Sequence, residues 1–238
     1  MSRVKTLAAA VLLASLAIGS AEAQSLRVSP VTIDLSAGAV SSILTLDTAS
    51  KEGVAVQARV FRWSQADGED KLEKTEDVVI SPPVLTVHDN APSKIRLVRV
   101  AKTPVSGEES YRVLIDEIPD RKKLQSGSVA LAFRQSLPVF FLGVDARPAS
   151  MSWKVVSRKG KLVLEAANSG QKRVRIYKLA VTDEKNNDLL HGGGAGYLLG
   201  GSAKSWELPG AAAGKTLTID AESDTGPIHA SAVAGRSG

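Results

Sequence analysis

Side chains that could do chemistry are sparse in this 238-residue sequence, and their spacing argues against most of it. His88, His191 and His229 stand far apart, with no HxxxH or His-x-x-Glu pattern, so no metal site is expected. Each reads as a hydrogen-bonded or solvent-facing side chain. No GxSxG elbow occurs and no base can be paired with a serine, which leaves a hydrolase without an identifiable nucleophile. Gly192-Gly193-Gly194-Ala195-Gly196 is superficially like a phosphate-cradling loop. It lacks the following Lys-Ser/Thr and does not lie between a strand and a helix, so it reads as a flexible loop. Arg121-Lys122-Lys123 and Lys172-Arg173-Val174-Arg175 lack the interleaved aromatics on which bases stack, and they read as solvated loop or strand faces. The expectation is a chain with no catalytic residues, no metal, no cofactor and no nucleic-acid partner.

The elements that carry these residues follow from composition and pattern. The chain is 43% hydrophobic and 23% charged and has no cysteine, which excludes disorder, a collagen and a disulfide scaffold. Its length suits one large domain or two of about 100 residues. With only 4 Phe, 3 Trp and 3 Tyr, the cores must rest on Val, Leu, Ile and Ala. The net charge of +5 permits an acidic or carboxylate-bearing partner. Residues 1–23 read as an export signal: Arg3 and Lys5, an apolar stretch from Leu7 to Ile18, then Ala21-Glu22-Ala23 as a cleavage site. That stretch is shorter than the roughly 20 apolar residues of a membrane span, and no later segment is long enough, so no stable membrane insertion is expected. The expected location is an oxidising compartment outside the cytoplasm, where stability must be reached without disulfides.

From Gln24 onward the pattern is short strands separated by turn residues, and the expected fold class is all-β. Val28 to Ile33 reads as the opening strand, followed by Ser42 to Leu46. Val54, Val56, Ala58 and Val60 then alternate against Gln57 and Arg59 as in a half-buried strand. Lys94 to Val100, Tyr111 to Ile118 and Ser128 to Phe141 complete about seven strands at sandwich-like spacing. A Gly/Asp/Pro stretch from Gly143 to Pro148 then marks a boundary, giving domains at 24–145 and 146–238. The second holds strands at Trp153 to Val156, Leu162 to Leu164, Arg173 to Val181, Tyr197 to Leu199 and Leu217 to Ile219. The tail after Pro227 reads as a frayed end.

The strongest feature is the segment from Val129 to Phe141. Val129, Leu131, Phe133, Leu137 and Val139 share one face, interrupted only by Gln135. On the residues alone, burial of this face in the chain's own core is the simpler account.

Ser81-Pro82-Pro83-Val84, Lys94-Ile95-Arg96-Leu97, Tyr111 to Pro119 with its Asp116-Glu117-Ile118-Pro119 motif, and the long apolar strand follow one another as in periplasmic pilus-assembly chaperones. The chain resembles chaperones of the chaperone-usher pathway. Arg134-Gln135-Ser136-Leu137-Pro138 and the Phe140-Phe141-Leu142-Gly143 ending are similar to the archaic branch that serves spore-coat-U-like pilins. The resemblance covers the first domain well and the second more weakly. It implies two immunoglobulin-like β-sandwich domains set like a boomerang, a periplasmic location after signal cleavage, and pilin subunits and an outer-membrane usher as partners. It also implies donor-strand complementation, in which an edge strand fills the groove of an incomplete pilin. Val129, Leu131, Phe133, Gln135 and Leu137 are then the expected donor-strand residues. Three apolar donors would supply about 5–9 kcal/mol before ordering costs. A long apolar edge is also an aggregation hazard, so self-association of the free chain, or disorder from Asp120 to Gly127, is expected to protect it.

In the family two basic residues between the domains bind the pilin's terminal carboxylate. The corresponding positions here fall at Pro30 and Pro138, so Arg112, Arg134 and, more weakly, Arg27 are the expected substitutes, a guanidinium binding a carboxylate bidentately. Glu117 matches the family's interdomain acid, and Leu142 stands where its basic partner would be. The alternative function is an exported two-domain β-sandwich carbohydrate-binding module or hydrolase.

Overall fold

The computed structural model describes residues 26–119, 132–158, 160–193, 196–211 and 213–235. Ten strands lie before the boundary stretch: β1 Leu26–Ser29, β2 Ile33–Leu35, β3 Ser41–Thr48, β4 Val54–Ala66, β5 Glu69–Lys74, β6 Val78–Ser81, β7 Val84–Val87, β8 Ser93–Arg99, β9 Glu108–Glu117 and β10 Arg134–Leu142. Eight follow it: β11 Met151–Arg158, β12 Lys161–Asn168, β13 Val174–Thr182, β14 Asp188–Gly193, β15 Gly196–Leu198, β16 Ala203–Glu207, β17 Thr216–Ser223 and β18 Gly226–Val233. No helix occurs among the described residues. The chain is all-β, built as two immunoglobulin-like sandwiches.

In the first sandwich one sheet has the order β1-β3-β8-β6 and the other β2-β10-β9-β4-β5, with β7 also on β4. The alternation of Val54, Val56 and Ala58 puts them in the core with Leu44, Leu46, Ile95, Leu97, Tyr111, Val113, Ile115, Val139 and Phe141. The opening run is two strands rather than one. Pro30 has no N–H for a ladder, so β1 ends at Ser29 on β3 and β2 resumes at Ile33, parallel to β10 in the opposite sheet. β5 carries no sequence signal, because all six of its residues are exposed and most are charged. Its antiparallel pairing with β4 follows from Asp67-Gly68, whose φ angles of 57° and 82° make the turn.

The second sandwich packs β11-β12-β16 against β14-β13-β17-β18, with β15 also on β13. Here the expected frayed end is overturned: β18 pairs with β17 over eight residues. Ile228, Ala230 and Ala232 alternate against the second core, a period-two signal weakened by two small side chains.

Candidate functional site

Where the sandwiches meet, β4, β9 and β10 present a face opposite their core. The registers set Pro138 beside Arg112 and Arg112 beside Phe61, so three side chains form one row across the sheet. A neighbouring row holds Trp63 and Phe140, and these two pack with Leu199 and Tyr197 from the second sandwich. Trp63 meets Tyr197 edge-on with centroids 5.5 Å apart, and Phe140 lies 5.5 Å from the same ring. Gln65 extends the junction, its Nε2 donating to the Tyr197 carbonyl at 2.8 Å while its Oε1 accepts the Leu199 N–H at 2.9 Å.

An ionic staple closes the other side. The Arg173 guanidinium carbon lies over the Phe140 ring, 3.5 Å from its centre. Arg173 donates to Glu108 at 2.6 Å and to Asp34 at 2.5 Å, and its backbone N–H donates to Glu108 at 2.9 Å. The Glu108 side chain is only 4% exposed. Burial pushes its carboxyl up from the ordinary glutamate range, against the downward pull of Arg173. Asn168 holds the second sandwich's part of the junction in place. Its Oδ1 accepts from the Ser150 and Gly170 N–H groups and its Nδ2 donates to the Lys172 carbonyl at 2.8 Å. Gly200 lies so near the Gln171 carbonyl that a Cβ there would stand 2.3 Å from its oxygen, which only glycine allows.

Arg112 is the unusual charge of this junction. Its guanidinium carbon sits 3.7 Å from the centre of the Trp63 ring and 5.7 Å from that of Tyr197. Among the described residues no carboxylate pairs with it. Burial, first, and the nearby Arg175 charge hold its pKa below the usual arginine value, while Asp70 and Tyr197 act in the opposite sense. Stacking on an indole is worth about 0.5–2 kcal/mol and leaves the guanidinium N–H edge free to donate.

The other expected anchors are separated from it. Arg134 pairs with Asp116, which also accepts from Arg59 at 2.5 Å, four positions along β10 from Pro138. Arg27 lies in the opposite sheet, 70% exposed, and pairs with Asp47. The structure therefore does not bring Arg112, Arg134 and Arg27 together. Glu117, the expected interdomain acid, ends β9, nine residues or about 30 Å of strand from Glu108. Burial raises its carboxyl, and a hydrogen bond from the Phe133 backbone lowers it. Leu142 does face the staple's acid, since its register partner is Glu108.

Along the apolar strand the face divides. Leu137, 5% exposed, belongs to the chain's own core and is corrected as a donor. Gln135 donates from Nε2 to the Leu26 carbonyl at 2.7 Å, bridging to the first strand of the other sheet. Phe133 is 57% exposed, and its carbonyl accepts the Glu117 N–H at 3.0 Å. Val129 and Leu131 lie outside the described residues. The sequence missed Trp63, Tyr197, Glu108 and Arg173 as junction residues. Tyr197 was legible only as part of a short strand, and Arg173 only as a member of a basic cluster.

Residues 25–150 match the family model described as pili and flagellar-assembly chaperone, PapD N-terminal domain. No curated protein sequence matches. Among solved structures, the fold is similar to a chain of the CsuC–CsuE chaperone–tip adhesion subunit pre-assembly complex from the archaic chaperone-usher Csu pili of Acinetobacter baumannii, at 22% identity and TM-score 0.69, covering 89% of this chain and all of that one. A chain of the Salmonella enterica SafA pilin–SafB chaperone complex matches at 17% identity and TM-score 0.62, covering 89% of this chain and 98% of that one. The Pseudomonas aeruginosa CupB2 chaperone matches at 18% and 0.57, covering 88% and 100%. With the family match extending over more than half of its residues, the chain belongs to the pili and flagellar-assembly chaperones that share the PapD N-terminal domain.

Proposed function

We propose that this protein is a periplasmic chaperone that captures pilin subunits by donor-strand complementation and delivers them to an outer-membrane usher. In this reading residues 1–23 are removed on export, 24–145 form the pilin-binding domain and 146–238 the second domain. Among the described residues no strand up to Leu142 pairs with one from Met151 onward, which supports the division. The Csu and Saf relatives, each solved as a chaperone with a subunit, support the partner class.

The observation that carries the proposal is Arg112. A half-buried guanidinium stacked on Trp63, without a carboxylate among the described residues, is a site for an external anion. A pilin's terminal carboxylate anchored there would set the register in which the strand leading up to it runs along β10 toward Phe133. Phe133, exposed one residue before β10 begins, is the donor side chain among the described residues. Co-purification of a co-expressed pilin tests both residues. Arg112→Ala should weaken capture by about 2–5 kcal/mol, and Arg112→Lys by less, because the ammonium keeps the charge and loses the fork. Undiminished capture by both Arg112→Ala and Phe133→Glu would overturn the assignment.

A further inference from the structure

Two arginines share one carboxylate on the face of β4, β9 and β10 that lies opposite their core. Asp116 accepts from Arg134 through one oxygen and from Arg59, at 2.5 Å, through the other. No second acid pairs with either arginine among the described residues. Burial pushes the Asp116 carboxyl up, and the hydrogen bonds and charges of Arg134 and Arg59 outweigh it, holding the group below the usual aspartate range. Asp116 therefore stays ionised at neutral pH, and the trio carries one surplus positive charge. That surplus lies on the outside, since the Arg134 side chain is 59% exposed and that of Asp116 only 18%. Arg134 meets Asp116 through Nε, which leaves its two Nη groups for a further acceptor.

The trio lies beside an open edge. β2 covers the outer edge of β10 only at Val139, Phe140 and Phe141, so from Arg134 to Pro138 no strand neighbours that edge among the described residues. A subunit's last strand that ends at Arg112, beside Pro138, and reaches back toward Phe133 runs parallel to β10. Side chains level with one another on adjacent strands point to the same face. Those level with Leu137, Gln135 and Phe133 turn to the side of the core, and those level with Pro138, Ser136 and Arg134 turn to the other. Of the last three residues only Arg134 carries a charge. Its level lies four residues, about 13 Å of strand, before that of Pro138.

We infer that Arg134 selects among subunits by the side chain that lies level with it: an acidic residue four places before the chain end, on the face away from the donor side chains, binds the open Nη edge and neutralises the surplus charge of the trio. Arg59 is a positioning residue, holding the Asp116 carboxylate in place while Arg134 reaches outward. This rests on the reading that a subunit's last strand runs along β10 from an anchor at Arg112. It adds a sequence feature by which one subunit is preferred to another, carried by an internal side chain and separate from the anchored terminus.

The test uses three N-acetylated octapeptides of alternating threonine and valine, each with a free C-terminal carboxylate. The first has glutamine as its fourth residue, the second has glutamate there, and the third keeps that glutamine and has glutamate as its fifth. Each is titrated by calorimetry into the whole exported chain and into its Arg134→Gln and Arg112→Ala variants. Arg134→Gln removes the surplus and leaves Arg59 paired with Asp116, so its melting temperature should match wild type. Glutamate at the fourth residue should tighten binding about fivefold over glutamine, the scale of a partly exposed charge pair, and the gain should shrink at high salt. Arg134→Gln should abolish that preference, and glutamate at the fifth residue should not reproduce it. Equal binding of the first two peptides, a preference kept in Arg134→Gln, or the same gain from the third peptide would overturn the role of Arg134. The Arg112 anchor would still stand if the glutamine peptide loses affinity for Arg112→Ala. A glutamine peptide that does not bind, or that binds Arg112→Ala as well as wild type, would overturn the reading beneath it too.

Discussion

Adjacent residues on β9 face opposite electrostatic demands, although both are glutamates. Glu109 points into the first sandwich, where Arg99 donates to both of its oxygens, at 2.8 and 2.9 Å, and the Tyr111 hydroxyl donates at 2.9 Å. Burial raises its carboxyl, and these donors outweigh that and hold it below the ordinary 4.5. A depressed folded pKa contributes stability that is present above the unfolded value and is lost as pH falls through the folded one. Acid titration of the wild type should therefore destabilise the first sandwich below about pH 4.5 through Glu109. Glu109→Gln should flatten that dependence and cost about 3–5 kcal/mol at neutral pH, since it leaves Arg99 buried without its counter-charge. Urea unfolding at several pH values measures both effects. Glu108 has the opposite sign: its raised carboxyl contributes stability in full below 4.5, lost as pH rises through the folded value.

At the scale of the element, β10 and the residue that leads into it have two fates. Leu137 and Phe133 have the same parity, yet one is core and the other exposed. Leu137→Ala should destabilise the chain by about 2–5 kcal/mol, the usual range for a buried leucine. Phe133→Glu should leave the melting temperature within a degree or two of wild type, because surface changes are usually within about 0.5 kcal/mol. Thermal melts followed by circular dichroism separate the two. A large loss of stability in Phe133→Glu would mean that this side chain serves the chain's own packing instead of a partner.

At the scale of the whole molecule, the described residues join the two sandwiches through an aromatic cluster, the Gln65 hydrogen bonds beside it and an ionic staple. Arg173 donates to Glu108 and Asp34 across the boundary and also covers Phe140. Arg173→Ala should therefore loosen the domains without unfolding either. Small-angle scattering should show a broadened distance distribution, while the amide spectra of residues in β3, β8 and β17 stay in place. Glu108→Gln should do the same to a smaller degree, because a glutamine keeps one acceptor for the Arg173 N–H. A distance distribution unchanged in Arg173→Ala would assign the orientation to the aromatic cluster.

Local pattern determined much of this protein. Alternation at Val54, Val56 and Ala58 placed a strand with the correct face inward, and Asp116-Glu117-Ile118-Pro119 with the long apolar strand led to the family. These readings succeed because a strand's side chains alternate with period two whatever surrounds them. Parity alone does not say where the facing sheet ends. That limit lies at Gln135, whose bond to the Leu26 carbonyl marks the rim of the sandwich, with Leu137 inside and Phe133 beyond. The junction was equally hidden. Arg173 meets Glu108 across 65 positions and Asp34 across 139, and no spacing rule links residues so distant. Only the tertiary structure decided that Arg27 meets Asp47, that Arg134 meets Asp116, that Arg112 meets no carboxylate among the described residues, and that Glu108 meets Arg173 across the boundary.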